Sequence, residues 1–110
     1  MRYVASGQAD RAALAAALAA NDVVGITDGL LGLTNHDPDW RWVQEQCLAL
    51  LAHPDKDVRG LAATCLGHLA RIHRTIDLDK VVPALRQRSA DPAIAGQIED
   101  ALEDIEMYVG

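Results

Sequence analysis

Six stretches of helical length, divided by breaks that carry Asp, Asn and Pro, constrain this chain most, and the dominant apolar residues of the chain are alanine and leucine. Ala and Leu are strong helix formers. Phe is absent, and Val and Ile never gather into alternating runs, so strands are not expected. The breaks predict helices over Gly7 to Ala20, Val23 to Thr34, Asp39 to Ala52, Asp55 to Arg74 and Leu78 to Ser89, and a last one from the Ala90-Asp91-Pro92 break to about Val109. Ser6 and Asp22 are the expected N-caps of the first two. Pro38 is expected in the first turn of the third, where a missing N–H does no harm. Pro83 falls inside the fifth and predicts a kink or a tight packing point.

The fourth segment carries the clearest stripe. Val58, Ala62, Cys65, Leu66, Leu69 and Ile72 recur at helical spacing, and Lys56, Arg59, Ala63, Gly67, Arg71 and Arg74 lie mostly away from them. Short breaks between helices predict antiparallel hairpins. A repeat underlies the pattern. With a shift of 35, Asp22-Val23-x-Gly25 falls on Asp57-Val58-x-Gly60, and Leu31-Gly32 on Leu66-Gly67. With a shift of 36, Asp55 falls on Asp91, Val58 on Ile94, Cys65-Leu66 on Ala101-Leu102, and Leu69 on Ile105. One hairpin cannot cover its own apolar stripe, whereas three stacked hairpins share a continuous core. Small residues at Gly25, Gly60, Ala62 and Gly67 are placed for close helix approach.

The segment His53-Pro54-Asp55-Lys56-Asp57-Val58-Arg59-Gly60-Leu61-Ala62-Ala63-Thr64-Cys65-Leu66-Gly67 resembles the second helix of a HEAT-type repeat. That resemblance implies an all-α fold: a short right-handed α-solenoid of about three stacked antiparallel hairpins, forming one domain over 1–110. It also implies an Asp–Arg ladder between repeats, with Asp55 or Asp57 and Arg59 in the matching positions. Val24 and Ala95 stand where the other hairpins would need the arginine, so the ladder is expected to be absent or confined to the central repeat. Because HEAT-like families are mostly protein-binding scaffolds, the resemblance further implies binding.

No constellation of residues points to chemistry. His36 and His53 occupy breaks, and His68 and His73 are five apart, off ligand spacing. Neither serine sits in a nucleophile elbow, and there is no Gly-rich phosphate loop. Cys47 and Cys65 fall on apolar stripes of different helices, which suits buried reduced thiols; a disulfide would need compatible spacing. The expectation is no enzyme, no cofactor and no metal. The formal net charge of −6 disfavours nucleic acid and suits a protein with a basic surface. The Ala12 to Ala20 run is only weakly hydrophobic and follows Asp10, so it is expected to be a helix of the folded protein and not a signal core. No run approaches the ~18 apolar residues of a membrane span, and the expected location is the cytoplasm.

Two features are candidates for binding. Trp40 and Trp42 sit two apart, so one is expected in the core and the other near the surface as an anchor. Glu99, Asp100, Glu103, Asp104 and Glu106 make the last helix acidic, with Glu99, Glu103 and Glu106 on one face. Arg71, His73, Arg74, Lys80, Arg86 and Arg88 form a smaller basic region, and Arg41 and Glu45 are spaced as a surface pair. The resulting expectation is a non-catalytic adaptor or inhibitor. Its sharper form is an immunity-type protein that neutralises a bacterial toxin. HEAT-like bilin lyases and DNA-repair proteins form the alternative, with Trp40 or Trp42 and Asp37 or Asp39 lining a groove. A scaffold fragment that self-associates is the third.

Overall fold

The computed structural model describes residues 10–109, which form six α-helices and no strand. They are α1 (Arg11–Ala20), α2 (Val23–His36), α3 (Trp40–Leu50), α4 (Lys56–His73), α5 (Leu78–Gln87) and α6 (Ala95–Tyr108). Aspartates start four of them: the carboxylates of Asp10, Asp22, Asp39 and Asp55 accept backbone N–H groups of the first turn. The first helix begins after Asp10 because that residue is extended and caps it; Ser6 lies outside the described residues. Pro38 stands before the Asp39 cap and not in the first turn as expected. Pro83 is accommodated inside α5. Asn21 (φ 53°) and Arg74 (φ 59°) close α1 and α4 in the left-handed conformation.

α1 packs on α2, α3 on α4 and α5 on α6, while α2, α4 and α6 pack in series. The α4–α6 interface is the most extensive and the α5–α6 interface is sparse. α4 is therefore the central element. Val58, Ala62, Cys65, Leu66 and Leu69 are fully buried, as their spacing predicts. The expected stripe is too narrow, however. Ala63, Gly67 and Ala70 are buried as well, because α2, α3 and α6 surround this helix, whereas Ile72 is 44% exposed where the helix runs past its neighbours. Each fully buried Leu, Ile or Val contributes roughly 1.5–3 kcal/mol relative to exposure.

Burial also corrects the repeat register. Under the shift of 35, Leu31 matches Leu66, yet Leu31 is 37% exposed and Leu66 is fully buried. A uniform shift of 36 aligns Ile26, Ala62 and Ile98, and also Leu33, Leu69 and Ile105; all six are buried. The apparent match at 35 follows Val-x-Gly identities at the helix start, but α2 begins a turn later within its repeat than α4 does. The first helices keep no such period: their starting residues Asp10, Asp39 and Asp77 are 29 and 38 residues apart.

An arginine–aspartate ladder is present, but the expected residues supply only part of it. Arg59 donates to Asp91 (Nε–Oδ2, 3.0 Å) and to the carbonyls of His53 (3.2 Å) and Pro54 (2.9 Å), tying the α3–α4 loop to the α5–α6 loop. Asp55 is occupied as a cap, and Asp57 is exposed beside Lys56. The other rungs run between first helices. Arg11 of α1 donates to Asp37 (2.8 Å) and Asp39 (3.4 Å) before α3, and Arg41 of α3 donates to Asp77 (3.3 Å) before α5. Buried Gln44 completes the second rung: its amide donates to the Asp77 carboxylate and its carbonyl accepts the Asp77 N–H, both at 2.8 Å. Glu45 pairs with Lys80 (3.3 Å), so Arg41 and Glu45 each reach across to the next hairpin and do not pair with one another.

Candidate protein-binding surface

α5 and α6 touch sparsely, and a groove of about 390 Å³ opens between them. Leu78, Val82 and Arg86 contribute one wall, spaced four apart on one face of α5. Glu99, Leu102, Glu103, Ile105 and Glu106 contribute the other from α6. The floor is apolar and the α6 rim is acidic. Among the described residues, no ion pair engages Glu99, Glu103 or Glu106, nor Arg86. α6 has no basic residue in its last turn to offset them.

The acidic residues do not form one face. Asp100 and Asp104 point to the other side, where they line a second hollow of about 300 Å³ with Thr64, His68, Ala101 and Glu103. Close packing of α4 on α6 shapes that hollow. A Cβ added at Gly67 would lie 3.0 Å from the Ala101 Cα and 3.0 Å from the Asp104 carboxylate, so only glycine fits there without displacement. His68 is half-buried beside it, and its Nδ1 has no hydrogen-bond partner. Desolvation, with Arg71 nearby, pulls its pKa below the usual histidine value, and Asp104 opposes the shift only in part.

The tryptophans are placed elsewhere. Neither lines the α5–α6 groove, and neither is fully buried, contrary to the expectation of one core and one surface ring. Both pack partly against the core beneath an arginine: Arg11 lies 4.1 Å from the Trp42 ring centroid and Arg41 lies 4.6 Å from that of Trp40. These are the same arginines that form the first-helix rungs. The hydrogen bond from Arg11 holds the Asp37 carboxyl below its ordinary pKa; those from Arg41 and then Gln44 do the same for Asp77. Asp37 and Asp39 are thus engaged with Arg11 and the α3 N-terminus. The basic residues also disperse: Lys80 pairs with Glu45, Arg74 covers the Tyr108 ring at 5.1 Å, and Arg86 turns to the groove.

Cys47, Cys65 and Thr34 meet where α2, α3 and α4 join. Both thiols are free and fully buried, as their stripe positions predict. The hydrogen bond with Cys65, together with burial, pushes the Cys47 thiol well above the ordinary thiol range. Among the described residues, no three His, Cys, Asp or Glu side chains converge as a metal set, and no helix is long and apolar enough to cross a membrane.

The apolar floor of the groove is what sequence reasoning missed. Its signal was the Leu78–Val82–Arg86 row facing Leu102 and Ile105, but two short rows in neighbouring helices show a groove only once their separation is known.

No family model matches this chain, and no curated protein does. Among solved structures, a chain in the crystal structure of a CDI complex from Cupriavidus taiwanensis LMG 19424 is similar to it over nearly the full length of both. The match covers 98% of this chain and 97% of that one, with a TM-score of 0.82 and 29% sequence identity.

Proposed function

We propose that this chain is a non-catalytic immunity-type protein that binds and neutralises the toxin of a contact-dependent inhibition system. The observation that carries this reading is the end-to-end similarity to a chain of a CDI complex, at 29% identity. The surface chemistry agrees: a net charge of −6 and an unpaired acidic rim over an apolar floor suit a basic protein partner. The serial packing of α2, α4 and α6, and the arginine–aspartate rungs between successive hairpins, support describing the molecule as a short right-handed, HEAT-like α-solenoid. Its place of action on this reading is the cytoplasm, where an incoming toxin domain would meet it.

The test is direct. If the neighbouring gene encodes a toxin domain, as this reading expects, that domain co-expressed with a tagged copy of this chain is expected to co-purify with it at one-to-one stoichiometry and to lose its toxicity. Free toxicity of that domain in cells that make this protein abundantly would refute the proposal.

A further inference from the structure

Resting on that reading, we infer that the α5–α6 groove receives a basic amphipathic segment of the toxin. Its apolar side chains enter between Leu78, Val82 and Leu102, and its lysines or arginines meet Glu99, Glu103 and Glu106.

The groove is unfinished as an intramolecular interface. Leu78 is 43% exposed, although it lies over an apolar floor shared by two helices. The hollow of about 390 Å³ lies within the size range of pockets that bury side chains or small ligands. The sign of the partner's charge follows from the rim. Glu99 and Glu103 are four apart and Glu103 and Glu106 three apart, so each carboxylate repels the next. Glu103 and Glu106 also stand in the C-terminal half of α6, where the helix dipole disfavours anions. An arriving cation relieves both effects, so part of the binding free energy comes from strain already present in the free protein.

The groove has a direction as well. Because α5 and α6 are joined by a short turn, Arg86 stands near Glu99, while Leu78 stands near Glu106. A bound segment therefore meets its strongest attraction at Glu103 and Glu106, away from Arg86, and a weaker one at Glu99. A second copy of this chain, itself at −6, would meet the rim with repulsion. Asp100 and Asp104 face the other hollow and are not part of the contact.

Calorimetric titration of the neighbouring gene's toxin domain into the intact protein tests this inference. The variant Glu99→Lys/Glu103→Lys/Glu106→Lys is expected to weaken binding by roughly 100-fold or more, and Leu78→Glu by roughly tenfold, as the loss of central charged and apolar anchors does elsewhere. The control Asp28→Lys/Asp57→Lys alters two exposed carboxylates away from the groove and is expected to stay within roughly threefold, as outlying charges usually do. Circular dichroism checks that each variant is folded. Hydrogen exchange on the wild-type complex needs no variant and is expected to show protection concentrated in 78–106. If the wild type binds, but the folded triple variant keeps wild-type affinity or protection falls elsewhere, the groove assignment is overturned while the immunity reading stands. If the wild type does not bind, both fall. A dimer of the free protein that Leu78→Glu dissolves would assign the groove to a second copy and overturn this inference.

Discussion

At the scale of single residues, Leu66 and His68 show opposite uses of the same helix. Leu66 points into the centre of the core and is fully buried. Leu66→Ala is expected to cost about 2–5 kcal/mol, measured by urea denaturation, because α2, α4 and α6 cannot all close on the cavity. A loss well under 1 kcal/mol would contradict the register of α4. His68 sits two residues on, with a buried ring nitrogen left unpartnered. Its pKa in the folded protein lies below the value of 6.5 that it takes when unfolded, so folding favours the neutral ring. Stability from this group is therefore complete above about pH 6.5 and is lost as the pH falls from there through the lowered folded value. Melting temperatures of the wild type and His68→Gln, compared from about pH 8 to about pH 5 around the normal histidine titration, are expected to diverge on the acid side. Parallel curves would remove the effect.

At the scale of elements, the fold depends on links between loops as much as on helix faces. Arg59, with its side chain only 18% exposed, joins two loops through one carboxylate and two carbonyls. Arg59→Met keeps most of the packing and removes all three bonds; chemical denaturation is expected to show a loss of about 1–3 kcal/mol. The helices themselves were legible in the sequence, since aspartate caps and Ala/Leu stripes are local signals. Val58, Cys65 and Leu69 and their repeat equivalents Ile94, Ala101 and Ile105 are all buried, as the repeat predicts, because burial at one helical spacing leaves a trace in composition. The first-helix rungs did not. Arg11 with Asp37 and Arg41 with Asp77 join residues 26 and 36 apart, and the first helices have no common period to reveal them. Trp40 and Trp42 were misplaced for a related reason. Helical spacing gives the direction of a ring, but whether an arginine from another helix covers it is a matter of tertiary packing.

At the scale of the molecule, charge sets how a partner is met. The described residues measure 43 × 28 × 18 Å, so every surface group lies within a few screening lengths of the next. With a net charge of −6 and an open acidic groove at one end, association with the proposed toxin is expected to be steered electrostatically. Stopped-flow association rates are expected to fall by about tenfold or more as ionic strength rises from about 0.01 M to about 0.15 M, with a smaller change in dissociation. A rate indifferent to salt would argue for an apolar contact remote from the acidic rim.

The junction of Cys47, Cys65 and Thr34 makes the protein its own reporter. Neither sulfur has any exposed surface, so an aqueous thiol reagent reaches them only while α2, α3 and α4 are apart. The labelling rate of the unmodified chain is thus a clock for core opening, with no probe to introduce. A partner that binds only the closed form should slow that clock by the factor 1 + [L]/Kd. Affinity for any candidate toxin can then be read from the time course of two buried thiols, even where the complex is too tight to titrate.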